Sequence, residues 1–202
     1  GRAGDDLLVG GSGNDVLCGG AGADTLSGGE GADTLRAGPD SDRLIGGSGD
    51  DLLTYDWGDP RWVGWPVSDV FMNAGDGADT LVGSVGGTAT MQLTRDAGAD
   101  VVLYGSLTDY AADKPDGIAN FDPARDRIQI GCGLGDALEL VIGSHPVATG
   151  DRWAVLYDAD AGRLYLDAPD SLAGWYPPID IHPVHIATLW NMPQLTAANF
   201  LL

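Results

Sequence analysis

Basic residues are scarce: Lys and Arg together number 10 against 30 Asp and Glu, which gives a formal charge of −20 and a pI near 4.1. Such a surface repels phosphate backbones and anionic headgroups, so nucleic acid and acidic membrane are excluded as direct partners. The two cysteines, Cys18 and Cys132, are too few to staple a fold by disulfides. No apolar run reaches the roughly 18 residues of a membrane-spanning helix. Catalytic signatures are lacking as well: there is no HExxH, no GxSxG and no Walker loop. His182 and His185 form HPVH, with His145 as a third candidate zinc ligand. Histidines flanking a loop proline are the ordinary state, since zinc sites need three or four protein ligands. Asp158, Asp160 and Asp167 lie by alternating strand segments, where acids are more often solvated than paired for glycoside hydrolysis. The tryptophans Trp57, Trp62, Trp65, Trp153, Trp175 and Trp190 suit sugar stacking, but filling and capping a core is their commoner work.

What the chain does have is glycine, 32 residues of it, set on a fixed beat. Cut from Gly1, it reads GRAGDDLLV, GGSGNDVLC, GGAGADTLS, GGEGADTLR, AGPDSDRLI and GGSGDDLLT, with no insertion through Thr54. The sixth place is always aspartate (Asp6, Asp15, Asp24, Asp33, Asp42, Asp51) and the eighth always leucine (Leu8, Leu17, Leu26, Leu35, Leu44, Leu53). A fixed period decides the architecture before anything else. Six glycine-rich residues suit a tight turn, and the three that follow suit a short strand. Two units of opposite direction close one coil, so that alternate units stack as strands about 4.8 Å apart. Leucine points inward, and aspartates of alternate units stack at that same spacing, roughly twice a calcium–oxygen bond. Stacked carboxylates repel and frozen glycines bury little, so the arrangement is poor without a cation. Calcium takes six to eight oxygens, carboxylate and carbonyl alike, whereas magnesium insists on a smaller octahedron and holds its water.

GGSGNDVLC and GGAGADTLS resemble the GGxGxDxUx nonapeptide of the repeats-in-toxin (RTX) family, a calcium-binding β-helix repeat. The resemblance implies an all-β fold: a parallel β-roll solenoid followed by a β-sandwich-like C-terminal region. It also implies Ca2+ between units n and n+2, about four to six ions in all. Each ion takes carbonyls at places two and four plus the aspartate of one unit, then carbonyls at places one and three plus the aspartate two units on. Carried onto this chain, a first ion uses Arg2, Gly4, Asp6, Gly19, Ala21 and Asp24. A second uses Gly11, Gly13, Asp15, Gly28, Glu30 and Asp33. A third uses Gly20, Gly22, Asp24, Ala37, Pro39 and Asp42, in the unit that departs most from the glycine pattern. A fourth uses Gly29, Gly31, Asp33, Gly46, Ser48 and Asp51.

In the same register YDWGDPRWV and GWPVSDVFM look like closing turns, and a fifth ion would join Gly47, Gly49 and Asp51 to Gly64, Pro66 and Asp69. AGDGADTLV, with Asp79, and RDAGADVVL, with Asp100, echo the repeat further on. From about Tyr110 the glycine pairs thin out, and DGIANFDPARDRIQI, VLYDADAGRLYLD and ATLWNMPQLTAANFLL are similar to the flank that follows the roll in secreted RTX proteases. The expected organisation is a roll over 1–72, a second partial roll over 73–109 and a β-rich flank over 110–202.

The resemblance implies a calcium-triggered module, without catalysis of its own, of a larger protein exported by type I secretion machinery to the outside of a bacterial cell. The opening in mid-repeat without methionine fits a piece of such a protein, whose upstream domain would be a partner. The family's C-terminal signal often has an acidic residue before a few apolar ones, whereas here Asn199 precedes Phe200, Leu201 and Leu202. The alternative from another class is a carbohydrate-binding or cell-surface attachment module on the same roll, with polysaccharide as partner.

Overall fold

A computed structural model describes residues 1–55, 69–83, 88–104, 115–130, 139–148, 153–167, 184–191 and 193–201. Two sheets face each other across a core one side chain thick in its first coils. One holds β1 (Leu7–Ser12), β3 (Thr25–Glu30), β5 (Arg43–Ser48), β7 (Val70–Asp76), β9 (Ala89–Gln92) and β11 (Asp116–Ala119) in that lateral order, all parallel. The other holds β2 (Val16–Cys18), β4 (Thr34–Arg36), β6 (Leu52–Thr54), β8 (Thr80–Val82), β10 (Val101–Tyr104) and β12 (Arg127–Ile130), also parallel. The chain therefore alternates between sheets, as the nine-residue beat requires. This is a parallel β-roll.

Leu26, Leu35, Leu44 and Leu53 are fully buried, and Met72, Leu81, Met91, Val102, Ile118 and Ile128 continue their row along the core. Leu8 and Leu17, in the first coil, are only partly covered. The strands are not all of the expected length. Those of the second sheet's early coils have 3 residues, but β1, β3 and β5 have 6, because pairing continues through the glycines, Gly11 with Gly29 and Gly29 with Gly47.

The C-terminal strands extend the same two sheets. β16 (Val184–Leu189) lies parallel to β11 and carries the antiparallel β15 (Arg163–Asp167). β14 (Ala154–Asp158) and β13 (Glu139–Gly143) then complete the first sheet, while β17 (Phe200–Leu201) adds to β12 on the second. Among the described residues no helix is long and apolar enough to cross a membrane.

The register changes once near the middle. β5 pairs with β7 so that Arg43 faces Phe71, a step ten residues longer than that from Thr25 to Arg43. Phe71 and Met72 of unit GWPVSDVFM thus pair out of the nine-residue register. The stretch from 56 to 68 lies outside the described residues.

Candidate metal centre

The sixth-place aspartates form two hydrogen-bonded ladders. The Asp6 amide donates to Asp24 Oδ1 (2.7 Å) and the Asp24 amide to Asp42 Oδ1 (2.8 Å). On the other side of the roll Asp15, Asp33, Asp51 and Asp79 are joined in the same way, each amide 2.8 Å from the next Oδ1. From Asp24 onward one oxygen of each carboxylate is thereby spent on the fold. The other is left over: Oδ2 of Asp15, Asp24, Asp33, Asp42, Asp51 and Asp79 is buried with no hydrogen-bond partner. A buried, unpaired carboxylate oxygen is among the costliest groups a protein can hold, so these positions call for a cation.

The space beside them has the right size. A methyl carbon placed on Gly19 would stand 2.5 Å from both Asp24 Oδ2 and the Ala37 carbonyl oxygen. One on Gly10 would stand 2.5 Å from Asp15 Oδ2 and 2.6 Å from the Gly28 carbonyl. Gly1, Gly28 and Gly46 open onto the same kind of pair: Asp6 Oδ2 with Gly19 O, Asp33 Oδ2 with Gly46 O, and Asp51 Oδ2 with Ala74 O. All of these separations are too short for carbon, and those at Gly19 and Gly10 match calcium–oxygen bonds of about 2.3 to 2.6 Å. Places two and four need glycine for a different reason. Gly20 (φ 128°) and Gly31 (φ 120°) are left-handed, and a Cβ there would meet Arg2 O at 2.6 Å and Gly13 O at 2.5 Å in the coil before.

The third-place carbonyls of Ala21, Glu30 and Ser48 each accept one coil-to-coil hydrogen bond of 2.7 Å, from Gly4, Gly13 and Gly31. A carbonyl keeps a second lone pair for a metal. The third expected place differs, because the Gly22 amide turns to the Asp40 side chain (3.1 Å), and Asp40 itself takes a glycine-like φ of 85°. Among the described residues no three His, Cys, Asp or Glu side chains gather at one point, so these cradles are built from backbone carbonyls around stacked carboxylates.

The fifth expected ligand set needs correction. Gly64 and Pro66 lie outside the described residues, and Asp69 is exposed rather than stacked on Asp51. Asp51 is followed in its ladder by Asp79, 28 residues on instead of 18. Ala74, Asp76 and Asp79 therefore stand where Gly64, Pro66 and Asp69 were expected. In the other ladder Val70 takes the aspartate place after Asp42, since the Phe71 amide bonds Asp42 O as the Arg43 amide bonds Asp24 O, both at 2.9 Å. The physical reason is the longer excursion before β7: a side-chain period survives an insertion only if the whole coil is shifted, and here the next true coil starts at Ala74.

Asp100 does continue the ladder from Asp79 (3.0 Å), and it is followed by Asp126 (3.1 Å). Asp116 takes the amide of Ala89 in the same manner, at 2.7 Å. Asp116 and Asp126 escape a search framed on glycine pairs, yet each stands two residues before a buried isoleucine, Ile118 and Ile128, as every repeat aspartate stands before its leucine.

Burial is the main force on these acids. It lifts Asp42 and Asp100 to about 7 and Asp51 and Asp79 to about 6, against backbone hydrogen bonds that pull down and neighbouring carboxylates that push up. Asp126 is raised for the same first cause.

The remaining sequence candidates are dispersed. His185 Nε2 sits 2.9 Å from both Ala187 O and Thr188 Oγ1, burial lowers its pKa, His145 is exposed on a loop, and His182 lies outside the described residues. Asp158 Oδ1 accepts the amides of Asp160 (3.0 Å) and Ala161 (3.3 Å), an ordinary turn bond. Cys18 is exposed on β2, and Cys132 lies outside the described residues. Trp153 packs on the core, and Trp190 is exposed over Gly117.

A parallel roll with carboxylate ladders and cation-sized cradles defines a calcium-binding solenoid. Residues 1–26, 27–60 and 69–87 match the model of the RTX calcium-binding nonapeptide repeat (4 copies), so these stretches of the roll are RTX-type repeats. A solved structure similar to this chain is that of the AlgE6R3 subunit from the Azotobacter vinelandii mannuronan C5-epimerase, at 23% identity and a TM-score of 0.29, over 100% of this chain and 80% of that one. So low a score carries no argument. No curated protein matches the chain.

Proposed function

We propose that this chain is the calcium-folded part of a larger secreted protein, holding about five ions and having no catalysis of its own. The ions lie between Asp6 and Asp24, Asp15 and Asp33, Asp24 and Asp42, Asp33 and Asp51, and Asp51 and Asp79. Calcium supplies the charge that lets the stacked carboxylates and ordered glycines coexist, so that binding free energy becomes folding free energy. In this reading the module is exported unfolded through type I machinery and folds outside the cell. The observation that carries it is the row of buried, partnerless Oδ2 atoms. Circular dichroism tests it: the β-rich spectrum develops in millimolar calcium and is mostly lost in chelator. An identical β-rich spectrum in a chelated, metal-free sample sinks the reading.

A second reading, polysaccharide attachment, draws support from the outer face of the long sheet. There Trp190 is 57% exposed, and Arg43 lies 4.5 Å over the ring of Phe71. A calcium-loaded Trp190→Ala variant then loses affinity for a polysaccharide that the parent chain binds. Equal retention of both proteins on a glycan column removes it.

A further inference from the structure

Among the described residues the buried carboxylate oxygens without a hydrogen-bond partner stop at Asp79. Beyond it, side-chain donors from one coil reach back to carbonyls of the coil before. Asn120 Nδ2 donates to Leu93 O (3.1 Å), and the Arg125 guanidinium donates to Asp96 O. One coil further, Asn191 Nδ2 donates to Phe121 O (2.7 Å), and Asn199 Nδ2 to Pro123 O (2.7 Å) and Asp126 O (3.3 Å). The carboxylates there are served by backbone: Asp126 accepts the Asp100 amide on Oδ1 (3.1 Å) and the Asp122 amide on Oδ2 (2.7 Å). Protein N–H groups thus do between these coils what a cation does between the earlier ones.

The core changes at the same border. The early coils give the shared core little more than one leucine per unit, whereas the later ones give it Tyr104, Phe121, Ile128, Val155, Tyr157, Leu164 and Phe200. Large side chains give far more apolar burial per ordered residue than leucine among glycines. Tyr157 also ties this core to the tail through a 2.8 Å bond from its hydroxyl to Pro193 O.

We infer that the roll has two parts of different metal demand: the coils closed by Asn120, Arg125, Asn191 and Asn199 fold without calcium and form the seed on which the glycine–aspartate coils assemble. Asn199 is central to this. It is 2% exposed, and an acidic side chain in its place would face two carbonyl oxygens instead of donating to them. The inference rests on the calcium reading only for the earlier coils.

Hydrogen exchange read by mass spectrometry on the full chain separates the two claims. In chelator, β11, β12 and β16 exchange at least about tenfold more slowly than the coils of residues 1–54, the equivalent of one buried hydrogen-bonded group. Added calcium then protects 1–54. Uniform fast exchange in chelator overturns the seed, while failure of calcium to protect 1–54 overturns the calcium reading and leaves the seed standing. Asn199→Asp abolishes the chelator protection of β12, and the milder Arg125→Gln speeds exchange of β12 in chelator by about tenfold. If both variants exchange like the parent in chelator, these donors do not hold the end of the roll and the inference is wrong.

Discussion

Asp24, Asp33, Asp42, Asp51 and Asp79 each divide their two oxygens between two tasks. Oδ1 accepts the amide of the preceding coil, and Oδ2 is turned into the cradle. Asparagine can keep the first task and fail the second, because its amide NH2 repels a cation where Oδ2 attracts one. Asp33 borders two cradles, with Asp15 on one side and Asp51 on the other, whereas Asp6 borders one. Asp33→Asn is therefore expected to remove about two ions from the calorimetric stoichiometry and Asp6→Asn about one. Equal losses would mean that ions are not shared between alternate coils. At this scale the sequence was highly legible, since aspartate and leucine sit at fixed places without exception through Thr54. Asp40 was legible only as a departure: its left-handed φ and its bond to Gly22 depend on the coil stacked against it, which local pattern does not show.

At the scale of the element, coil and ladder stand or fall together. Four acids with an ordinary value of 3.8 are pushed by burial to about 6 (Asp51, Asp79) or about 7 (Asp42, Asp100). A carboxyl with a raised folded value binds protons more tightly when folded, so it adds stability that is full below about 4 and lost as pH rises through 6 to 7. Acidification from pH 8 to 5 should then increase the β content of the chelated chain. With calcium present the trend reverses, since protons compete for the oxygens that hold the metal. Circular dichroism across that range, with and without calcium, reads both slopes. A chelated chain that loses structure as the pH falls would show that these acids are not buried as charges in the metal-free coils. The same scale explains the misplaced fifth cradle. Period-nine counting carried Asp51 to Asp69, but β5 pairs with β7 and β6 with β8 across a longer sequence step, and only cross-strand register reveals where the repeat resumes. Asp116 and Asp126 show the converse, ladder places that persist after the glycine turns have gone.

For the whole molecule the governing quantity is a net charge of −20, much of it stacked along two lines. Without a counterion that charge resists collapse; with one it becomes the glue between coils, each of which touches only its neighbours, so folding spreads along the roll by short steps. A module of this kind serves export only if its affinity lies between the calcium levels on the two sides of the membrane. Extracellular modules bind calcium with a Kd of about 10⁻⁴ to 10⁻³ M, and sensor sites reach about 10⁻⁷ M. The backbone-rich cradles, with at most two carboxylates for each ion and with Asp42, Asp51 and Asp79 made reluctant to ionise by burial, belong at the weaker end of that scale. The folding midpoint, followed by circular dichroism in calcium buffers at neutral pH, is therefore expected near or above about 10⁻⁴ M. Sharing of Asp24 and Asp33 between adjacent cradles should make the transition steeper than a single-site curve. A midpoint below about 10⁻⁶ M would let the coils close at intracellular calcium. The export reading would then have to yield to a purely structural use of the ions, with the ladders, the cradles and the metal all retained.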